Sequence, residues 1–412
     1  MDLLIRNIKE LFQVTPGNSR IAGGEMNVIP SVKNAFLHIK DGLIADFGSD
    51  ELCSIQSDQI IDARGGMVLP TFVDCHTHLV FPASREDEFV MKIKGISYAE
   101  IARMGGGILN SAAKLRLLSE DELFDISLLR LKEAMRLGTG AIEIKSGYGL
   151  DTTSELKMLR VARRLGNHSG IPVRTTFLGA HTVPKGFEKA DYIRLVIDEM
   201  IPAVAAENLA DYIDVFCENG FFTYDDSVEI LSAGKKFGMT PRVHANQLSN
   251  SGGIEAGIFT QAISVDHLEC AGDKEIELLK NSKVLPVALP GAAFFLRANY
   301  PPGRKIIEAG LPLVVASDYN PGSSPSANIF TMWSLACVGM KLTPEEVLNS
   351  ITINAACALE LESSHGSIER GKYGSVIITK PIPSLAYIPY HFGMEITDSV
   401  IINGEVYDQR NN

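Results

Sequence analysis

His76 and His78 stand one residue apart in Asp74-Cys75-His76-Thr77-His78, at the end of the apolar run Met67-Val68-Leu69-Pro70-Thr71-Phe72-Val73. Side chains two apart on a strand point to the same side, so the pair can hold one cation between two imidazoles. A strand end that opens into a loop suits a catalytic ion, because a catalytic site keeps one ligand position open for water. His-x-His alone is weak evidence. It counts only if further ligands lie at the ends of other strands.

The middle of the chain supplies such ends. Short apolar strands are expected at 67–73, 141–144, 173–178, 213–216, 241–243, 263–265, 284–288 and 313–316. Helix signals fall between them. Ser119 with Glu122 forms a capping box ahead of Phe124, Leu128, Leu131 and Met135, with Gly138 as a stop. Thr343-Pro344-Glu345-Glu346 is a second start, with Pro at the first helical position. Eight strands alternating with helices predict an α/β fold, a (β/α)8 TIM-type barrel. An open doubly wound sheet is the alternative, disfavoured because polar candidates follow nearly every strand. Gly105-Gly106-Gly107 is read as loop.

The two ends differ from the middle. Ala35–Ile39 and Leu43–Gly48 flank Asp41-Gly42, the pattern of a hairpin. Gly374–Thr379 and Ser399–Val406 repeat that style. Both ends together predict one small composite β domain, 1–66 with 359–412, around a catalytic barrel at 67–358.

At the strand ends stand His76 and His78, then Lys145-Ser146-Gly147-Tyr148-Gly149, His181, Glu218, His244 with Gln247, Asp266-His267-Leu268-Glu269, and Ser317-Asp318-Tyr319-Asn320-Pro321-Gly322-Ser323. Five of nine histidines therefore fall on one rim, the face on which barrel enzymes place their active sites. A lone His is more often a satisfied core or surface residue, and an Asp before a turn is usually a cap. The joint pattern resists that explanation. His38, His168, His365 and His391 lie off the rim and receive no metal role.

Composition sets outer bounds. With 412 residues, 45% hydrophobic and 21% charged, the chain reads as an ordinary globular protein. A net charge of -12 without basic clusters argues against nucleic acid. Six scattered cysteines without a CxxC pattern predict free thiols in a reducing compartment. No leader and no bilayer-length apolar stretch are evident, so the expectation is a cytoplasmic protein.

On these motifs the chain resembles the amidohydrolase superfamily, and within it the enzymes that open 4-imidazolone-5-propanoate during histidine degradation. The carrying segments are Asp74–Phe81, Ser84–Phe89, Lys145–Leu150, Ser317–Ser323 and Tyr390–Gly393, and the likeness spans nearly the whole chain. It implies a β-sandwich flanking the barrel and a single divalent metal on His76, His78, His244 and Asp318. Lys145 follows strand two, not strand four, so it is not the bridging lysine of binuclear relatives. Three imidazoles and a carboxylate suit Zn2+ and Fe2+ almost equally. The resemblance further implies Asp318 as proton carrier, and His267 as an activator of water or of the substrate carbonyl. An anionic substrate would be met by Arg85, whose planar fork suits a carboxylate. Tyr148, His181, Gln247, Asn320, Gly322 and Ser323 would complete its contacts, the last two through backbone N–H groups. Without the motif around it, Arg85 would read as a surface residue paired with Glu86 or Glu88.

Two rivals remain. Aminohydrolases of the same superfamily, acting on small heterocycles, need His-x-x-Glu to protonate a leaving amine. Here that position is Gln247, which cannot exchange protons. A non-catalytic barrel serving as an assembly scaffold would not need a complete ligand set. Helix-rich outer surfaces of such barrels commonly form dimers, so a homodimer is expected.

Overall fold

The computed structural model describes residues 2–14, 17, 19–96, 100 and 106–407. Eight parallel strands run side by side in chain order: Phe72–Asp74, Thr139–Lys145, Val173–Ala180, Tyr212–Cys217, Thr240–Ala245, Ser264–His267, Leu285–Ala288 and Val314–Val315. First and last strands meet just beyond their ends. There the N–H of Asp318 donates to the His76 carbonyl at 3.0 Å, and that of His78 to the Tyr319 carbonyl at 2.9 Å. The expected barrel is thus present, and residues of the rim complete its closure.

One expected strand divides. Met67–Pro70 pairs with strands of the terminal sheet, whereas Phe72–Asp74 pairs with Thr139–Lys145 in the barrel. Pro70 has no N–H with which to extend a ladder. Thr71 then turns its N–H to the Ser375 carbonyl at 3.1 Å, and the chain changes sheets at that residue.

The remaining strands, Asp2–Phe12, Ser31–Lys40, Leu43–Ser49, Gln59–Asp62, Val376–Thr379, Thr397–Ile402 and Glu405–Val406, join Met67–Pro70 in a single sheet built from both termini. Asp41 and Gly42 take φ of 52° and 80°, the left-handed pair that a two-residue hairpin turn requires. The run expected at Ser399–Val406 is itself a hairpin, turning at Asn403-Gly404. Leu3, Ile5, Leu37, Val68, Val376 and Ile401 form a core belonging to this sheet alone.

Helices cover the barrel. Both expected helix starts are present, the capping box of Ser119 with Glu122 and the start at Thr343, where Glu346 completes a second box. Gly106 and Gly107 lie outside regular elements, as expected, and Gly107 caps the helix Ile108–Leu117; Gly105 lies outside the described residues. No helix among the described residues is long and apolar enough to cross a membrane.

Sheet and barrel are packed as one body at Ile377. It pairs with Leu69, shares the large barrel core, and lies so near Gly138 that a Cβ there would meet its Cδ1 at 2.4 Å. Ile377→Ala should therefore destabilise by about 2–5 kcal/mol. The sole tryptophan, Trp333, is buried in the barrel, so a matching shift in its fluorescence transition in denaturant checks that the two parts unfold together.

Candidate metal centre and active site

Alternation along the barrel strands decides what faces inward. In Tyr212–Cys217, Ile213 and Val215 join the core shared with the helices, and Asp214 points the other way. Arg242 and His244 alternate with Val243, and Asp266 with Val265, in the same fashion. The inward set is buried and charged. It forms a polar layer directly beneath the rim.

Above that layer the five rim histidines converge. Ring centroids lie 4.6 Å apart for His76 and His244, 5.4 Å for His78 and His181, and 5.3 Å for His244 and His267. His76 Nδ1 contacts Asp266 Oδ2 at 2.7 Å, and His244 Nδ1 lies 2.9 Å from Asp214 Oδ2. With Nδ1 protons directed to carboxylates, both Nε2 atoms present bare lone pairs. His76 Nε2 is buried without a hydrogen-bond partner, and the Nε2 atoms of His244 and His78 face each other at 3.3 Å. Asp318 Oδ1 lies 3.6 Å from Nε2 of both His76 and His78. His76 Nε2 and Asp318 Oδ1, buried side by side, are electron-rich atoms that repel each other unless a cation sits between them. The residues therefore fit a divalent metal.

Protonation follows burial and neighbouring charge. Burial, and then the Lys145 ammonium, holds His76 well below the ordinary imidazole pKa. His78 is lowered by burial and by His181, and His181 itself is pushed down to about 3 by burial. Neutral imidazoles are what a metal needs. At His267 burial also opposes charge, but Glu269 at 3.2 Å, together with Asp318 and Asp266, outweighs it and raises the pKa. Burial pushes Asp318 up to about 6, with the His267 charge opposing.

The residues expected to meet substrate cluster on one side. Tyr148 lies against His78 and His181, at 5.9 and 5.6 Å between centroids. His181 Nδ1 donates to the Gly147 carbonyl at 3.0 Å, leaving Nε2 as an acceptor. Arg85 reaches the same side, with its guanidinium carbon 5.6 Å from the Tyr148 ring centre. Its hydrogen bonds go to Ser111 Oγ, at 3.0 Å from Nε and 2.8 Å from one terminal nitrogen. A Cβ on Gly322 would lie 2.7 Å from its other terminal nitrogen, so a side chain there would push the fork aside.

Asn320 and Ser323 lock onto the proposed ligand instead of opening to solvent. Asn320 Nδ2 donates to the Asp318 carbonyl at 2.6 Å, and Ser323 Oγ to Asp318 Oδ2 at 3.1 Å. The backbone N–H groups of Gly322 and Ser323 already donate to Asn320 Oδ1, at 2.7 and 2.8 Å. Gln247 is half-buried on the loop after strand five, whose next two N–H groups donate to Glu218. Among the described residues, no hydrogen bond or ring contact ties its side chain to the others.

Sequence reasoning missed the supporting layer: Asp214, Asp266 and Arg242, and the part that Glu143 and Lys145 play in it. A signal was available. Charged residues inside apolar parallel strands, such as Ile213-Asp214-Val215, must face partners, because full burial of an unpaired charge is rarely tolerated. Glu155 was missed as well. Buried in the helix Thr152–Ser169, it accepts N–H bonds from Gly147, Gly149 and Leu150 at 2.9, 2.7 and 2.9 Å, which fixes the loop carrying Tyr148. A Cβ on Gly149 would meet the Glu155 nitrogen at 2.5 Å. Gly149→Ala should cost about 1–3 kcal/mol of stability in denaturant unfolding. Metal content measured on the same variant should stay unchanged.

Comparison with known proteins agrees with this geometry. Residues 67–407 match the profile of the Amidohydrolase family. The chain is 51% identical to an imidazolonepropionase of Christiangramia forsetii, over 98% of this chain and 100% of that one. It is 41% identical to an imidazolonepropionase of Thermoanaerobacter pseudethanolicus, over 97% and 96% of the two chains. Among solved structures, guanine deaminase of E. coli superposes with a TM-score of 0.74 at 14% identity, covering 100% of both chains, which speaks for the fold alone. The chain belongs to the amidohydrolase family and, within it, groups with the imidazolonepropionases.

Proposed function

We propose that the chain hydrolyses the cyclic amide of 4-imidazolone-5-propanoate to N-formimidoyl-L-glutamate, with one divalent ion, Zn2+ or Fe2+, on His76, His78, His244 and Asp318. The observation that carries this reading is end-to-end identity of 51% with an imidazolonepropionase. The site supports it with a complete donor set and a cationic fork beside it.

When bound, the ion acidifies water and polarises a carbonyl. The protein's own groups do the rest. Arg85 receives the propanoate tail, held in place by Ser111, with Tyr148 closing over the heterocycle. His267, favoured in its protonated form by Glu269 and Asp318, donates to the carbonyl oxygen as charge develops there. Asp318 takes the proton of the attacking water and delivers it to the ring nitrogen as the C–N bond breaks. Water adds its oxygen to the carbonyl carbon, and its protons balance the new carboxylate and the released formamidine nitrogen.

An aminohydrolase reading has less support. Gln247 offers no proton at the position such chemistry needs, and solved deaminases share the fold at low identity. All six cysteines are free, as suits the cytoplasm, where we place the enzyme as a homodimer.

The test is turnover of freshly generated imidazolone propanoate with product identification, metal analysis and native mass on one sample. Formimidoylglutamate with about one metal per chain is expected at dimer mass. Asp318→Ala should lose at least about 1000-fold in kcat. No ring opening by metal-loaded enzyme would reject the substrate assignment. A separate variant addresses recognition. Arg85→Ala should raise KM by about 100-fold while metal content stays near that of the parent, and equal loss of both would remove Arg85 from tail binding.

A further inference from the structure

Beneath the metal centre lies an ammonium that takes no part in the chemistry proposed above. Lys145 ends the second barrel strand, and its side chain is 0% exposed. Its Nζ lies 2.8 Å from Glu143 Oε1, 2.9 Å from Asp214 Oδ2 and 4.0 Å from Asp266 Oδ2. Each of these carboxylates holds a different part of the ligand set. Asp214 Oδ2 contacts His244 Nδ1 at 2.9 Å, and its Oδ1 accepts the His244 N–H at 3.1 Å. Asp266 Oδ2 contacts His76 Nδ1 at 2.7 Å. Glu143 Oε2 accepts the N–H of Thr77, the residue between His76 and His78, at 3.1 Å.

We propose that Lys145 is the positioning residue of the metal centre, drawing the carboxylates that orient His76, His244 and the His76–His78 segment onto one buried charge and so setting metal affinity. The geometry requires a cation at that point. Three carboxylates fully buried around one spot repel one another, and any one of them would turn away or take a proton if nothing opposed it. Either response releases the imidazole it holds, and Nε2 then no longer points to the common centre. Arg242 cannot replace Lys145. Its guanidinium reaches Asp266 at 3.3 Å but otherwise bonds the carbonyls of Cys75 and Ala358. The division of labour is therefore specific: Arg242 joins Asp266 to the barrel wall, and Lys145 alone joins Asp214 and Glu143.

Outer partners of metal ligands typically govern affinity by about 10–100-fold. The inference rests on the metal-centre reading, and the test separates the two. Full-length apoprotein is titrated with Zn2+ against a chromophoric chelator, and melting of the apoprotein is followed in parallel. Lys145→Met should weaken Zn2+ binding at least about 10-fold. Should loss of the charge leave too little folded protein, Glu143→Gln combined with Lys145→Met removes one charge of each sign and gives the same readout. A purely structural lysine would lower the melting temperature and leave the dissociation constant of the folded fraction unchanged, and that result overturns the assignment. Failure of the parent protein to bind Zn2+ would instead overturn the metal centre itself.

Discussion

Charge sealed inside a parallel barrel must be compensated where it stands, and the rest of this structure depends on that constraint. Glu143, Lys145, Asp214, Arg242 and Asp266 are all at or near zero exposure, on the second, fourth, fifth and sixth barrel strands. An apolar filling of equal volume would serve stability as well or better, since desolvating ions costs more than most buried pairs return. What the ionic layer provides is direction. It fixes which imidazole nitrogen carries the proton and where the other nitrogen points, and those two facts define a metal centre.

Barrel closure and site assembly are the same event. Two backbone bonds, Asp318 N–H to His76 and His78 N–H to Tyr319, join the first strand to the last at the level of the donors. Asp74 strengthens the seam by accepting from Ser317 N–H at 3.0 Å and Ser317 Oγ at 2.5 Å. His76, His78 and Asp318 therefore cannot drift apart without opening the barrel. Left-handed backbone at Asp318, His267 and Leu268, with φ of 53°, 91° and 73°, is held by the same packing. Such conformations are unfavourable for residues with a Cβ, and they stand where side chains must be aimed into the site.

Periodicity and punctuation made the barrel readable. Strand and helix alternation, the Ser119 capping box, the Thr343-Pro344 helix start and the Asp41-Gly42 turn are local features, and local chemistry dictates them. Thr71 shows where this reading stops. The mostly apolar run 67–73 looks like one strand, yet the change of sheet at Pro70-Thr71 depends on Ser375, over three hundred residues away. The site divides in the same manner. Rim histidines follow from position at strand ends, but the partners of their Nδ1 atoms are cross-strand relations that a linear sequence does not order. Asp214 and Lys145 each read as an oddity in an apolar strand; only the barrel brings them to 2.9 Å.

Gln247 bears on how this family arrangement moves its protons. A glutamate at that position could shuttle a proton, whereas an amide can only accept or donate a hydrogen bond. The proton economy must then close within the groups that titrate, and two of these adjoin the donor centre. Burial raises Asp318 out of the ordinary carboxylate range, and Glu269 raises His267 against its own burial. Glu269 favours the charged imidazole, which burial alone would oppose. A side chain two residues beyond the histidine, brought back by two left-handed residues, thus supplies the charge that Gln247 lacks.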